Sequence, residues 1–453
     1  MFSCFKDRAF LKRFFSIALP VMLSAFVTFL VSFLDNIMVG TVSNTAVSGV
    51  YAANQVTYLY DLAIFGALEG AGIFIQQFNG NNDELNIKNC FRFKIIVLII
   101  FLLLVIPLTY ILGPKLITFY SKNDINFDLI YKEGTDYLKV IIISYIPFSI
   151  GYIYSTSLRE LGKTKYAMYS SIIAVGSNTL LNALFIFGFK QGAIGAAIAT
   201  IISRTLEMIF LIFICHFKKF EFCNHTFKDF KIDRKLYKHI LSKSYLLFIN
   251  EIGFAVGNIL QTLAFSQRDG VLSAISILST ITNIIMILIQ GLSTGIGVIV
   301  GNDLGQGDFN KALDDNKKLN LLGFYMALFT GLILISLSSV LPNAFKEVDM
   351  PQKVIATKLI IIYGTLLFAN TLAVSTYYTL KAGGKTFLTL LLDTIFMLAV
   401  YVPVSWILAS YTNLSIVYIY LIVRSLDILK MGLGLFLVGR KSWLNNLTIR
   451  KEV

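Results

Sequence analysis

The chain alternates between long apolar runs and short polar interruptions, and the length of the runs decides what they are. A helix needs about 20 apolar residues to cross a hydrocarbon core of roughly 30 Å. Twelve runs reach that length, near 14–40, 51–77, 93–114, 137–158, 166–189, 192–216, 244–266, 271–300, 319–342, 355–380, 386–410 and 414–438. The pattern predicts an all-α integral membrane protein with twelve transmembrane helices.

The longest polar stretch, 217–242, divides the chain into an N-terminal six-helix bundle (1–216) and a C-terminal one (243–453) that ends in a short tail. Six is even, so both halves enter from the same side, as in transporters built from parallel repeats. Internal similarity agrees. Gly162-Lys163-Thr164 recurs as Gly384-Lys385-Thr386 at an offset of 222 residues. Arg204-Thr205-Leu206-Glu207 recurs as Arg424-Ser425-Leu426-Asp427 at 220, and Gly80-Asn81-Asn82-Asp83 as Gly305-Gln306-Gly307-Asp308 at 225. Each match falls at the same point of the six-helix unit, which predicts a duplication and two pseudo-symmetric bundles.

Composition adds the environment. Of 453 residues, 56 % are hydrophobic and only 14 % charged, with mean hydropathy +0.73. A soluble chain would carry nearly twice that charge. The net charge of +13 is spread between apolar runs, which excludes a groove-binding basic patch and hence a nucleic-acid partner. With the N-terminus inside, 27 of the 39 Lys/Arg adjoin cytoplasmic segments and 9 external ones, while Arg204, Arg424 and Lys430 lie within spans. The positive-inside rule therefore places both termini in the cytoplasm, in an inner or plasma membrane. The run after Lys12 and Arg13 is too long for a signal-peptide core. Cys4, Cys90, Cys215 and Cys223 all fall on the reducing side, so no disulfides are expected. Cys215, His216, Cys223 and His225 match no zinc spacing.

The candidate chemistry is a handful of polar residues at membrane depth. The two GKT triplets lack the earlier glycine of a phosphate loop, having Ser157 and Thr379 there, so ATP is not the expected energy source. Arg204 with Glu207, and Arg424 with Asp427, are i,i+3 pairs expected to neutralise one another. Gly291, Gly295, Gly297 and Gly301 carry the small-residue spacing of close helix packing.

Asp35 interrupts the first run roughly 8 Å below its outer end, counting 1.5 Å per residue. An acid there either handles an ion or reaches out to interfacial water. On the same scale Asn182 and Thr200 each lie roughly 12 Å deep, with Asn178 one turn deeper than Asn182. Asp35, Asn178, Asn182 and Thr200 thus share an outer layer of hard oxygen donors, suited to a sodium ion or to a proton on the carboxylate. Glu251 and Asp393 sit about 12 Å from the inner ends of their helices and form a second candidate site, the alternative being buried acids bonded to neighbouring helices.

These residues resemble the multidrug and toxic compound extrusion (MATE) family of efflux transporters over nearly the whole chain. The resemblance rests on Pro20 with Leu34-Asp35-Asn36-Ile37-Met38-Val39-Gly40, on Asn178 and Asn182 before Ile186-Phe187-Gly188, and on Gly195-Ala196-Ala197-Ile198-Ala199-Thr200. It continues in Asn250-Glu251, Val300-Gly301-Asn302-Asp303-Leu304-Gly305, Gly383-Gly384-Lys385-Thr386 and the Trp443–Thr448 tail. It implies two bundles about a cleft and export of cationic amphipathic drugs or dyes in exchange for sodium ions or protons. It also implies Asp35 as the coupling carboxylate, Pro20 as the hinge of the first helix, Asn178, Asn182 and Thr200 as the rest of the ion site, and Glu251 as the acid of the second bundle.

One departure bears on the ion. Asn182 stands where many relatives carry aspartate, so the layer holds one fixed charge. One negative charge with three neutral oxygen donors suits a monovalent cation. Loss of a like-charged neighbour removes a reason for Asp35 to hold a proton, which tips the choice toward sodium. The expectation is a secondary-active antiporter with no cofactor, acting as a monomer among membrane lipids. The rival within transport is a lipid-linked oligosaccharide flippase, which needs a basic cleft that the acids at depth do not offer. An enzyme is not expected, because all three histidines lie in or beside the central loop and no nucleophile–base pair sits at depth.

Overall fold

A chain with apolar runs this long must satisfy its backbone groups internally, and helices do so within one segment. The computed structural model describes residues 7–40, 44–121, 126–228, 230, 233–268, 271–345 and 348–449, without the side chains of 31–37, 39, 40, 44, 120 and 121. Among the described residues there are twelve long helices and no strand. They are α1 (Arg8–Gly40), α2 (Asn44–Gly80), α3 (Glu84–Ser121), α4 (Phe127–Glu160), α5 (Thr164–Gly188), α6 (Gly192–Phe217) and α7 (Arg234–Phe265). The rest are α8 (Val271–Gly305), α9 (Phe309–Leu337), α10 (Met350–Ala382), α11 (Thr386–Tyr411) and α12 (Ile416–Gly439).

Each predicted run overlaps one helix, the largest overshoot being the ninth, whose helix ends at Leu337 rather than at residue 342, and the chain is a multi-pass membrane protein. Eleven of the helices are long and apolar enough to span a membrane. The twelfth, α12, departs for a definite reason: Arg424, Asp427 and Lys430 lie within seven residues of one another. Asp427 and Lys430 are nonetheless buried, and their charges are met inside the protein, Asp427 by Arg424 at 3.6 Å and Lys430 by Asp393 at 2.8 Å. Helices α1 and α7 start six and ten residues earlier than the apolar pattern predicts, because their first turns carry Arg8 and Lys12, or Arg234, Lys235 and Lys238.

Packing divides the chain into two units. One holds 19–75 and 83–244; the other holds 1–18, 76–82 and 245–453. The first has a core of Val50, Ala53, Val56, Ile117, Leu138 and Tyr145. The second is built on Ile277, Leu359, Ile360, Tyr363, Ile419 and Val423. In the second, a Cβ on Gly295 would lie 2.7 Å from the Phe14 ring, and one on Gly297 or Gly301 would lie 2.8 Å from Gln76. Glycine is there for close packing, as its spacing predicts.

The internal repeat is visible in the backbone. Gly162 and Gly384 take left-handed φ angles of 71° and 69° after α4 and α10. In each turn the following lysine N–H donates back five residues, Lys163 to Leu158 at 2.8 Å and Lys385 to Leu380 at 3.0 Å. This is the Schellman stop, whose left-handed position glycine fills without steric cost. The repeat of α2 and α8 behaves alike, with φ of 54° at Asn82 and 77° at Gly307.

Three helices depart from regular α geometry. Helix α4 tightens to 3-10 over Ile142–Ser144, where the ring of Pro147 would meet the carbonyl of residue 143. Helix α5 widens to a π-helix over Ala183–Gly188, directly after Asn182. Helix α11 does so over Leu391–Ile395 and Met397–Tyr401, ahead of Pro403. Such widened turns concentrate at functional positions.

Candidate functional site

In the unit that holds 19–75 and 83–244, helices α5 and α6 bring Asn178, Asn182 and Thr200 together. Asn178 and Asn182 are one turn apart, so their side chains share a face. The Asn182 amide donates to the Asn178 side-chain oxygen at 3.2 Å. Asn178 donates in turn to the hydroxyls of Thr200 and Ser203, each at 3.2 Å. The Thr200 hydroxyl donates to Ala196 O one turn back at 3.0 Å. The arrangement gathers amide and hydroxyl oxygens of α5 and α6 into one bonded layer. Both asparagines are buried.

Asn182 and Thr200 also line a cavity of about 180 Å³. Helix α2 contributes Asn54, Thr57 and Asp61, a polar stripe at i, i+3 and i+7. Tyr137, Ser144, Tyr145 and Phe148 of α4 and Arg204 of α6 complete the lining. The wall is braced: Tyr145 stacks on Tyr60 at 3.8 Å, and its hydroxyl donates to Thr57 at 3.3 Å. Arg204 lies 2.8 Å from Glu207 and 5.0 Å from the centre of the Phe148 ring.

Asp35 lies on α1, five residues before the helix ends at Gly40. Its side chain is outside the described residues. Pro20 lies buried within the same helix, two residues from the point where the chain passes from one packing unit to the other. It removes the backbone donor to residue 16 from a continuous helix.

In the other unit Asp393 sits on the widened turn of α11 as part of a bonded group. Lys430 is 2.8 Å from its Oδ1, and the Asn250 amide donates to its Oδ2 at 3.3 Å and to the Tyr377 hydroxyl at 3.2 Å. Thr394 donates to Asn250 O at 2.7 Å. Helices α7 and α11 can approach this closely because residue 253 is glycine, where a Cβ would lie 2.4 Å from Thr394. Asp393 is thus paired with Lys430 and Asn250 within its own unit. Glu251, beside Asn250, is partly buried. In the connection after α6, the Cys223 thiol points at Cys215 O (3.1 Å) and Phe220 O (3.3 Å).

Sequence reasoning passed over Asp61 and placed Arg204 only as half of an ion pair. The signal for Asp61 was present as the 54, 57, 61 spacing in the second run, but the run is long and a single acid in it reads as an interruption. The Lys430–Asp393 pair joins residues 37 apart on two helices, which no local spacing announces.

Residues 20–184 and 248–407 match the MatE family model. Among curated relatives, the chain is 22 % identical over 420 residues to a probable multidrug resistance protein, NorM, of Bacillus cereus, covering 89 % of each chain. It is 24 % identical over 422 residues to the corresponding protein of Thermotoga maritima, covering 89 % of this chain and 87 % of that one. Among solved structures, a variant of a MATE transporter from Vibrio cholerae superposes with a TM-score of 0.84 at 16 % identity, covering 98 % of this chain and 99 % of that one.

Proposed function

The chain belongs to the MatE family of multidrug efflux transporters, and we propose that it is a secondary-active antiporter exporting cationic amphipathic compounds in exchange for sodium ions. One observation carries this reading: the bonded layer of Asn178, Asn182 and Thr200 at the edge of a polar cavity inside the membrane-spanning part of the first bundle. Buried amide and hydroxyl oxygens gathered at the edge of a polar cavity are the donor types that suit a small cation.

Asp35 supplies the fixed negative charge, and Asn178, Asn182 and Thr200 supply neutral oxygens. Cation binding there must favour the state that releases the exported compound outward, since a ligand shifts an equilibrium only by its differential affinity for the two states. Pro20 lets α1 bend as Asp35 changes its charge state. The bundles 1–216 and 243–453, joined by 217–242, alternate access between the two faces. Both termini are cytoplasmic and the monomer is the working unit. Glu251 is the candidate acid of the second bundle, Asp393 being occupied by Lys430. A flippase for lipid pyrophosphates fits less well, because Arg204, Arg424 and Lys430 are each paired with an acid.

The test is transport in proteoliposomes. An imposed sodium gradient without a pH gradient should drive accumulation of a monocationic dye such as ethidium. Transport that follows the pH gradient alone would make the proton the coupling ion. Ethidium that moves under neither gradient would reject the antiporter reading.

A further inference from the structure

We propose that Asp61 is a specificity-determining residue, the counter-charge for the ammonium head of the exported compound. This rests on the reading of the chain as an exporter of cationic compounds. Asp61 lines the cavity from α2 and makes no hydrogen bond or ion pair with another described residue. Arg204 lines the same cavity and acts on Asp61 through space, but its guanidinium is held by Glu207 at 2.8 Å and rests on the Phe148 ring. The charge of Arg204 is therefore met by Glu207, and that of Asp61 is left to be met by what enters the cavity. A carboxylate that keeps its charge in a low-dielectric setting needs such a partner.

The walls indicate which partner. Tyr137, Tyr145 and Phe148 line the same cavity as Asp61. An acid in a cavity with aromatic side chains attracts organic ammonium groups, whose spread charge and alkyl surface suit aromatic rings better than a bare metal ion does. Size agrees. At about 180 Å³ the cavity is below the roughly 300–1,000 Å³ of sites that enclose drug-sized ligands, so it takes the head and not the whole molecule.

The experiment is equilibrium binding of ethidium to the purified full chain in detergent without ion gradients, for the wild type, Asp61→Asn and Asp61→Glu. Asp61→Asn should weaken binding about tenfold or more, the scale of a lost contact to a desolvated charge, and Asp61→Glu should largely restore it. Unchanged affinity in Asp61→Asn overturns the proposal. So does an Asp61→Asn protein that binds ethidium normally but has lost gradient-driven transport, which would make Asp61 a coupling group. A measurement on the wild type guards against a variant that does not fold. Ethidium should protect Asp61 from modification by dicyclohexylcarbodiimide, and equal modification with and without dye overturns the assignment. Failure of the antiporter reading would show separately, as wild-type protein that binds ethidium and moves it under neither gradient.

Discussion

The Asn182 side-chain amide donates to the side-chain oxygen of Asn178 at 3.2 Å, which makes Asn178 the hub of a network reaching Thr200 and Ser203. A hub fixes the direction in which its neighbours' oxygens point. Asn178→Ala should therefore loosen the whole layer and raise the sodium concentration that gives half-maximal dye transport. Asn182→Asp adds a second charge at the edge of the same cavity and should make transport depend more steeply on pH, because like charges favour a shared proton. Sodium titrations at fixed pH, and pH titrations at fixed sodium, check both. Identical curves for Asn178→Ala and wild type would remove the layer from the coupling mechanism.

Asp35→Asn keeps the shape of the side chain and removes its charge. Gradient-driven dye transport should fall to background while the protein still inserts and remains monodisperse in detergent. Transport at the normal rate would mean that Asp35 reaches interfacial water and carries no ion.

How much of this could be read from the sequence depended on the range of the signal. The twelve helices were legible because apolar runs of the required length have no other stable arrangement in a membrane. The repeat was legible at Gly162 and Gly384, whose positive φ makes glycine the favoured residue. Asn178 and Asn182 declared themselves as neighbours by i,i+4 spacing alone. What stayed hidden needs two helices at once. Asp61 shares a cavity with side chains of α4, and Lys430 pairs with Asp393 on α11. Charge in α12 lowers its apparent fitness as a span, while the folded protein neutralises that charge by pairing.

The proposed cytoplasmic placement of both termini rests on the distribution of Lys and Arg. Single cysteines introduced at Thr45 and Thr412 in a cysteine-free background should react with a membrane-impermeant maleimide added to intact cells, and one at Lys228 should not. Reaction at Lys228 in sealed cells would reverse the orientation.

The Asp393–Lys430 pair gives a test that distinguishes a structural acid from a coupling one. Both side chains are largely buried, 19 % and 10 % exposed, and lie 2.8 Å apart. Removing one partner of a fully buried pair costs roughly 3–5 kcal/mol, because the other charge is left without compensation. The residual exposure here reduces that to about 2 kcal/mol. Asp393→Asn should therefore lower thermal stability in detergent, and so should Lys430→Met. The double variant should recover much of the loss, since it leaves no charge behind. In all three, dye transport per folded molecule should retain its sodium dependence. If Asp393→Asn is as stable as wild type yet loses sodium dependence, the pair belongs to the coupling machinery, and the ion site must be moved to the second bundle.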